Sequence, residues 1–337
     1  MRSHMVGYFA FVFFTAFITA LVLTPFAIRL ARRLNWLDKP APRRLHQIPT
    51  PRIGGVPLAI AFLAALAVTI PFARSDENEM SRVFGLAVGV AIVALVGLID
   101  DVRELKALPL FAMQLGVALI AIASGVLIKE ISSPLDGSPI FLPPLIAIAF
   151  TIFWIVGMMN TLNFLDGLDG LVGGVTVIAG TVLFLHTFRL HQDSLALLPL
   201  ALIGATLGFL IFNFPPAKIF LGSGAYVLGF ALAVLSIIGG AKAATALLAL
   251  AIPILDVAWQ ILQRVRAGKS PFAADRGHLH IRLYDSGIST RAIVLIYYLL
   301  TALFGALALI LPSGIPKLIS LIVIGGMAVI VLARLRR

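Results

Sequence analysis

Continuous apolar runs separated by short polar breaks dominate the chain, at about 7–30, 55–73, 83–99, 107–128, 141–159, 171–189, 196–213, 219–240, 242–263, 291–311 and 315–333. Each is close to the roughly 20 residues that carry an α-helix across the hydrocarbon core of a bilayer. Lipid offers no partner to backbone N–H and C=O groups, and the runs are unbroken rather than alternating in ten-residue segments. The pattern therefore predicts spanning helices and not a barrel. The expected fold is all-α: one polytopic membrane domain over 1–337 with about eleven spanning helices. The first five residues, Met-Arg-Ser-His-Met, carry a second start and read as a cloning scar, so they are set aside. The run after them lacks a basic leader and a small-residue cleavage site, which predicts a retained helix.

The polar breaks are unequal. Between two apolar runs the chain reads Asn-Thr-Leu-Asn-Phe-Leu-Asp-Gly-Leu-Asp-Gly-Leu-Val-Gly-Gly from Asn160 to Gly174, so Asn160, Asn163, Asp166 and Asp169 recur every third residue. Steps of three drift by about 60° on an α-helix. Gly167 and Gly170 therefore predict that the helix ends here and the backbone wraps, gathering the carboxylates in a loop.

Composition fits a lipid solvent: 60% hydrophobic residues, 12% charged, and a mean hydropathy of +1.06, where soluble domains carry about a quarter charged residues. Lys and Arg favour the cytoplasmic side. With the N-terminus outside and the C-terminus inside, 19 of the 26 Lys and Arg fall on inner segments, and 264–291 becomes a long cytoplasmic loop. The richer polar clusters then share that face: Asp100-Asp101, Asn160 to Asp169, Asn213 to Ser223, Asp256, and Asp275 to His280. Asp76, Glu77 and Glu79 on the outer side read as a solvated turn, as do Arg189, His191 and Asp193. One-sided chemistry suits an anionic cytosolic substrate, whereas a transporter would place its polar groups at mid-membrane. There is no cysteine, which excludes disulfides.

Each cluster taken singly also has a structural reading. Asp100-Asp101 alone reads more readily as a solvated helix end than as a site, Asp256 equally as a cap for a neighbouring helix, and the His278-x-His280 pair as often as incidental. His186 and His191 have no constellation around them.

Taken together, the ordered motifs resemble the polyprenyl-phosphate N-acetylhexosamine-1-phosphate transferases, bacterial membrane enzymes that begin teichoic acid, O-antigen and related cell-envelope glycans. The pieces that carry the resemblance are Asp38-Lys39-Pro40 with Arg43 and His46; Pro51-Arg52-Ile53-Gly54-Gly55; and Gly97-Leu98-Ile99-Asp100-Asp101 with Leu105 and Gln114. They continue with Asn160 to Gly174, Asn213-Phe214-Pro215-Pro216-Ala217-Lys218-Ile219-Phe220, Pro253-Ile254-Leu255-Asp256, and Pro271-Phe272 to Leu283. The Asn-Phe-Leu-Asp-Gly-Leu-Asp-Gly-Leu wording and the His-Leu-His form look like the N-acetylglucosamine branch.

The resemblance implies attack of a lipid phosphate on the β-phosphate of a UDP-sugar, releasing UMP, at the cytoplasmic face of the bacterial plasma membrane. It implies Mg²⁺, with Mn²⁺ as substitute, held by Asn163 and Asp166, and a proton-accepting or positioning role for Asp100 or Asp101. Substrate contacts fall to His46, Arg52, Asn160, Asp169, Asn213, Lys218, Asp256, Arg276, His278, His280 and Arg282. The implied partners are a UDP-HexNAc, undecaprenyl phosphate, membrane lipids and, by analogy, a second copy of the chain, with no nucleic acid. The chain departs from the pattern in one consequential place. The family reads Gly-Asp-Ser/Ala-Gly after the segment matching Lys218-Ile219-Phe220, its aspartate a metal ligand, whereas this chain reads Leu221-Gly222-Ser223-Gly224. A catalytically impaired protein that still binds UDP-sugar or polyprenyl phosphate is the alternative. A lysine usual at Leu110 and a histidine usual at Ile281 are also absent.

Overall fold

A computed structural model describes residues 2–40, 48–74, 76–240, 243–268 and 277–334. The protein is mostly helical, 74%. Among the described residues, the helices are α1 (Arg2–Arg33), α2 (Gly55–Val68), α3 (Glu79–Arg103), α4 (Ala107–Ala123), α5 (Pro144–Leu165), α6 (Leu171–Arg189) and α7 (Asp193–Asn213). They continue with α8 (Gly224–Ile238), α9 (Ala243–Ala249), α10 (Ala251–Arg266), α11 (Leu279–Asp285), α12 (Thr290–Ile310) and α13 (Ile315–Arg334). Six of them, α1, α3, α5, α6, α7 and α12, are long and apolar enough to cross a bilayer, and α2, α4, α8 and part of α13 are shorter apolar helices. Two antiparallel ribbons complete the fold: β1 (Leu37–Asp38) with β2 (Thr50–Pro51), and β3 (Glu130–Ser132) with β4 (Pro139–Phe141).

The apolar runs become helices because only a helix satisfies its own backbone in lipid. Their inward faces meet in a core built around α7, α8 and α6, with Phe209, Leu197, Phe230, Leu171 and Met159 fully enclosed. Helix α1 lies along α2 and α7, α5 along α8, and α6 between α7 and α12. The outward faces stay greasy, as in α1, where Phe11, Phe14, Ile18, Val22, Phe26 and Leu30 are exposed at helical spacing.

Four features depart from the sequence expectation. Helix α1 starts at Arg2, ahead of the apolar run expected to begin near residue 7. The run at 242–263 is two helices, α9 and α10, parted at Leu250. Pro253 accords with the break: it has no N–H to donate and its ring crowds the preceding turn, and it falls in the first turn of α10, although α1 and α7 run through Pro25 and Pro199. The 264–291 segment is not all loop, because α10 runs on to Arg266 and α11 and the start of α12 lie inside it. Finally, Glu79 is not part of a solvated turn. It is fully buried at the start of α3, paired with Arg74 at 2.8 Å and accepting from the Ser194 hydroxyl at 2.9 Å. Asp76 and Glu77 beside it are exposed as expected.

Candidate active site

One end of the bundle gathers the start of α2, the ends of α3, α5 and α7, and the starts of α6 and α8. Ribbon β1–β2 folds the chain back there and delivers Arg52 to the top of α2. The backbone of Phe220 then bonds Pro51 O at 2.8 Å, tying the α7–α8 connection to the same place.

Asp100 and Asp101 occupy the last turn of α3. Asp100 accepts from the Leu105 N–H at 2.9 Å and from the Ser223 hydroxyl at 2.9 Å. Asp101, its side chain 2% exposed, accepts from both the N–H and the hydroxyl of Ser223, at 2.9 and 3.0 Å, and faces Arg52 Nε at 3.6 Å. Ser223 is thus the clasp between α3 and α8. Gly222 beside it sits at φ +59°, and a Cβ there would stand 2.6 Å from an Asp101 oxygen and 2.5 Å from Arg52 O. Only glycine fits this turn.

The Asn160 to Asp169 row divides in two. Helix α5 runs on to Leu165, so Asn160 and Asn163 are helical and only Asp166 and Asp169 lie in the loop. Asn160 is spent on Gln114 of α4, donating to it at 2.6 Å and to Val156 O at 2.8 Å. Asp169 accepts from the Ala217 N–H at 2.9 Å. Asn213 is a strut: its Oδ1 accepts from Gly170 N at 3.1 Å and its amide donates to Ile219 O at 2.9 Å. Asp166, partly buried, and Asn163 receive no side-chain hydrogen bond from a described residue. Burial pushes the Asp166 carboxyl up to about 7, with Arg52 pulling it down and the charges of Asp101 and Asp169 pushing it up. That set of influences places Arg52, Asp101, Asp166 and Asp169 in one electrostatic neighbourhood.

A second knot lies behind the loop. Asp256 on α10 holds His278 Nδ1 at 3.0 Å and the Leu279 N–H at 2.9 Å, with His280 Nδ1 at 3.9 Å. Arg264 approaches His278 Nε2 at 3.5 Å and lies over the Phe164 ring, and Gln260 donates to Gly277 O. His280 is wholly buried against Gly167, and neither ring nitrogen has a hydrogen-bond partner among the described residues. Burial lowers its pKa to about 4, Asp256 opposing, so it is neutral at pH 7. Lys218 is exposed and Arg282 partly buried. His46 and Arg276 lie outside the described residues.

The sequence reading assigned no role to Gln260 or Tyr298, and used Ser223 only as motif context and Arg264 and Arg291 only as inner charge. Yet Arg291 donates to Pro215 O at 3.1 Å and Tyr298 to Gly170 O at 2.5 Å. Their signal in the sequence is faint: a polar tip on an otherwise greasy helix. No three His, Asp or Glu side chains among the described residues are grouped as a metal cage.

A multi-pass helical membrane protein with acids, an arginine and buried histidines collected at one end defines a membrane-embedded enzyme class. Residues 83–240 match the model of glycosyl transferase family 4. The chain is 33% identical over 310 residues to a probable undecaprenyl-phosphate N-acetylglucosaminyl 1-phosphate transferase of Bacillus subtilis, covering 90% of this chain and 84% of that one. It is 35% identical over 352 residues to the decaprenyl-phosphate N-acetylglucosaminephosphotransferase of Mycobacterium leprae, covering 93% and 88%. A Haemophilus influenzae undecaprenyl-phosphate alpha-N-acetylglucosaminyl 1-phosphate transferase is 28% identical over 310 residues, covering 88% and 84%. The chain belongs to the polyprenyl-phosphate N-acetylhexosamine-1-phosphate transferases of glycosyl transferase family 4, and is therefore a phosphosugar transferase by family.

Proposed function

We propose that this protein transfers N-acetylglucosamine 1-phosphate from a UDP-sugar to undecaprenyl phosphate, releasing UMP, at the cytoplasmic face of a bacterial plasma membrane. The observation that carries the proposal is the convergence of Arg52, Asp101 and Asp166 from three separate segments at one end of the bundle. The reading takes α9 and α10 as one crossing, leaves α11 out and counts the shorter apolar helices with the six long ones as eleven spans; the bias of Lys and Arg supports this end inside and the N-terminus outside.

In the transfer, an oxygen of the lipid phosphate bonds to the β-phosphorus of the donor. The bond from that phosphorus to the bridging oxygen breaks, and UMP leaves with the electron pair. Both reactants are anions, so bringing them together is the larger part of the work. Arg52 supplies a guanidinium for phosphate oxygens. Asp100 or Asp101 positions the acceptor phosphate or takes its proton. Asp256 fixes the orientation of His278 through Nδ1 and directs Nε2 toward Arg264, a group able to bind phosphate.

The donor set suits Mg²⁺, with Mn²⁺ as substitute: all-oxygen ligands, few of them from protein, and a carboxylate at Asp166 whose oxygens no described residue has claimed. Asp166 and Asn163 would hold the ion, with Asp101 nearby; bound there, it would offset the charge of the donor diphosphate. Purified protein given UDP-GlcNAc, undecaprenyl phosphate and Mg²⁺ should release UMP, and no UMP at high enzyme concentration would sink the proposal.

One observation favours a second reading, an impaired transferase that retains UDP-sugar or lipid binding. Ser223 follows Gly222 directly and spends its N–H and hydroxyl on Asp100 and Asp101, so the turn brings no third acid to the site. Under this reading, inserting an aspartate between Gly222 and Ser223 raises turnover while UDP-GlcNAc binding changes little. No gain would count against it. A homodimer is proposed by analogy alone.

A further inference from the structure

We propose that Tyr298 of α12 is a positioning residue that latches the α5–α6 loop, so that a helix with one face packed on α6 and α9 and the other exposed sets the geometry of Asp166 and Asp169. Leu295, Ile296, Leu299 and Leu303 of α12 are exposed, as expected for a lipid-facing surface. Tyr298 lies at the margin of the opposite, buried face, beside Val294, Tyr297 and Thr301, and its hydroxyl donates to Gly170 O at 2.5 Å. The other side of Gly170 is held as well, its N–H donating to Asn213 Oδ1 at 3.1 Å, and its φ is +74°. Gly170 is therefore pinned from both peptide groups, one residue after Asp169. One turn further on, the Tyr298 ring lies directly over Gly174, where a Cβ would overlap it. Arg291 stands seven residues before Tyr298, two turns down the same face of α12. Its Nε donates to Pro215 O, two residues from the Ala217 N–H that holds Asp169. Helix α12 thus contacts both halves of the clamp on Asp169.

The kinetic arm of the test rests on the proposed transfer, but the deciding arms do not. Amide hydrogen exchange is measured on the full chain in nanodiscs, comparing wild type with Tyr298→Phe. Loss of one neutral hydrogen bond should speed exchange over 165–172 about fivefold to tenfold, leaving α7 unchanged. Mn²⁺ titrated by electron paramagnetic resonance should show a half-saturating concentration raised about threefold or more. Gly174→Ala should loosen the same segment in the wild-type background and add little in a Tyr298→Leu background, where the overlapping ring is gone.

Exchange within twofold of wild type in Tyr298→Phe overturns the latch. Faster exchange with unchanged Mn²⁺ saturation, or a wild-type chain that binds no Mn²⁺, reduces Tyr298 to a structural contact and overturns its positioning role. A wild-type chain that binds Mn²⁺ and responds as expected but releases no UMP overturns the transfer alone. Where UMP is released, Tyr298→Phe should lower kcat with KM for UDP-GlcNAc within twofold.

Discussion

Asp166 and Glu79 are both carboxylates drawn into the protein at opposite ends of the bundle, and their surroundings differ in kind. Glu79 is saturated: Arg74 pairs with one oxygen and Ser194 donates to the other. Asp166 has two like charges near it and, among the described residues, Arg52 as its cationic influence and no hydrogen bond to its carboxylate. A buried charge that is paired belongs to the architecture, while one left short of partners needs a ligand. The sharpest way to break this comparison is to neutralise each acid in turn. Asp166→Asn should lower UMP release about 10²–10³-fold, the scale seen when one group that stabilises developing charge is removed, with the melting temperature unchanged or raised. A variant that keeps more than a tenth of wild-type turnover would show that Asp166 is not at the chemistry.

Glu79→Gln should do the reverse. It strands Arg74, whose side chain is 9% exposed, and breaking a buried pair from one side costs about 3–5 kcal/mol. Denaturant or thermal unfolding should register that loss, while UMP release per folded molecule stays within about threefold. Unaltered stability would mean that the Arg74–Glu79–Ser194 network is dispensable.

Half of the difference between the two acids is legible in the chain alone. The Asn160 to Asp169 spacing and its glycines announce a loop of carboxylates, because acids and amides are costly inside lipid and persist between apolar runs where they serve a site. Run lengths locate the helices, because backbone satisfaction in lipid leaves little choice. Glu79 looks solvated because its neighbours Asp76 and Glu77 are, and nothing local announces that Arg74 and Ser194 close over it. Asn160 falls in the same three-residue rhythm as Asp166, but the helix carries it around to face Gln114. Tyr298 and Arg291 act from more than 70 residues away in sequence on Gly170 and Pro215, a distance at which one chain without partners is silent. The absence of an acid between Gly222 and Ser223 is legible only through the family resemblance, and in the structure Ser223 follows Gly222 directly and bonds Asp100 and Asp101.

His280 sharpens the contrast by pH. It lies at the same end as Asp166, and neither of its ring nitrogens is hydrogen-bonded to a described residue. Its pKa falls from 6.5 to about 4 on folding, so between those values the unfolded chain binds the extra proton. Stability is therefore at its full value above pH 6.5 and declines as pH drops toward about 4. Comparing wild type with His280→Phe isolates this group: the gap between their unfolding free energies should change across pH 4–6.5 and be flat above it. A gap that is flat throughout would mean that His280 is solvated or partnered.

The smallest expected effect comes from Asn160, which shares the rhythm of Asp166 and the satisfied condition of Glu79. Its amide is exchanged with that of Gln114, itself 2% exposed. Asn160→Ala leaves Gln114 buried without its partner and should cost about 1–3 kcal/mol. Asn160→Leu combined with Gln114→Leu should recover most of that loss, because replacing both partners by apolar groups of similar shape removes the stranded donor and acceptor together. UMP release by the double variant should remain within about threefold of wild type. A loss of 10²-fold with stability recovered would move Asn160 from the scaffold to the site, and would mean that a side chain satisfied in the ligand-free protein exchanges its partner when substrate arrives.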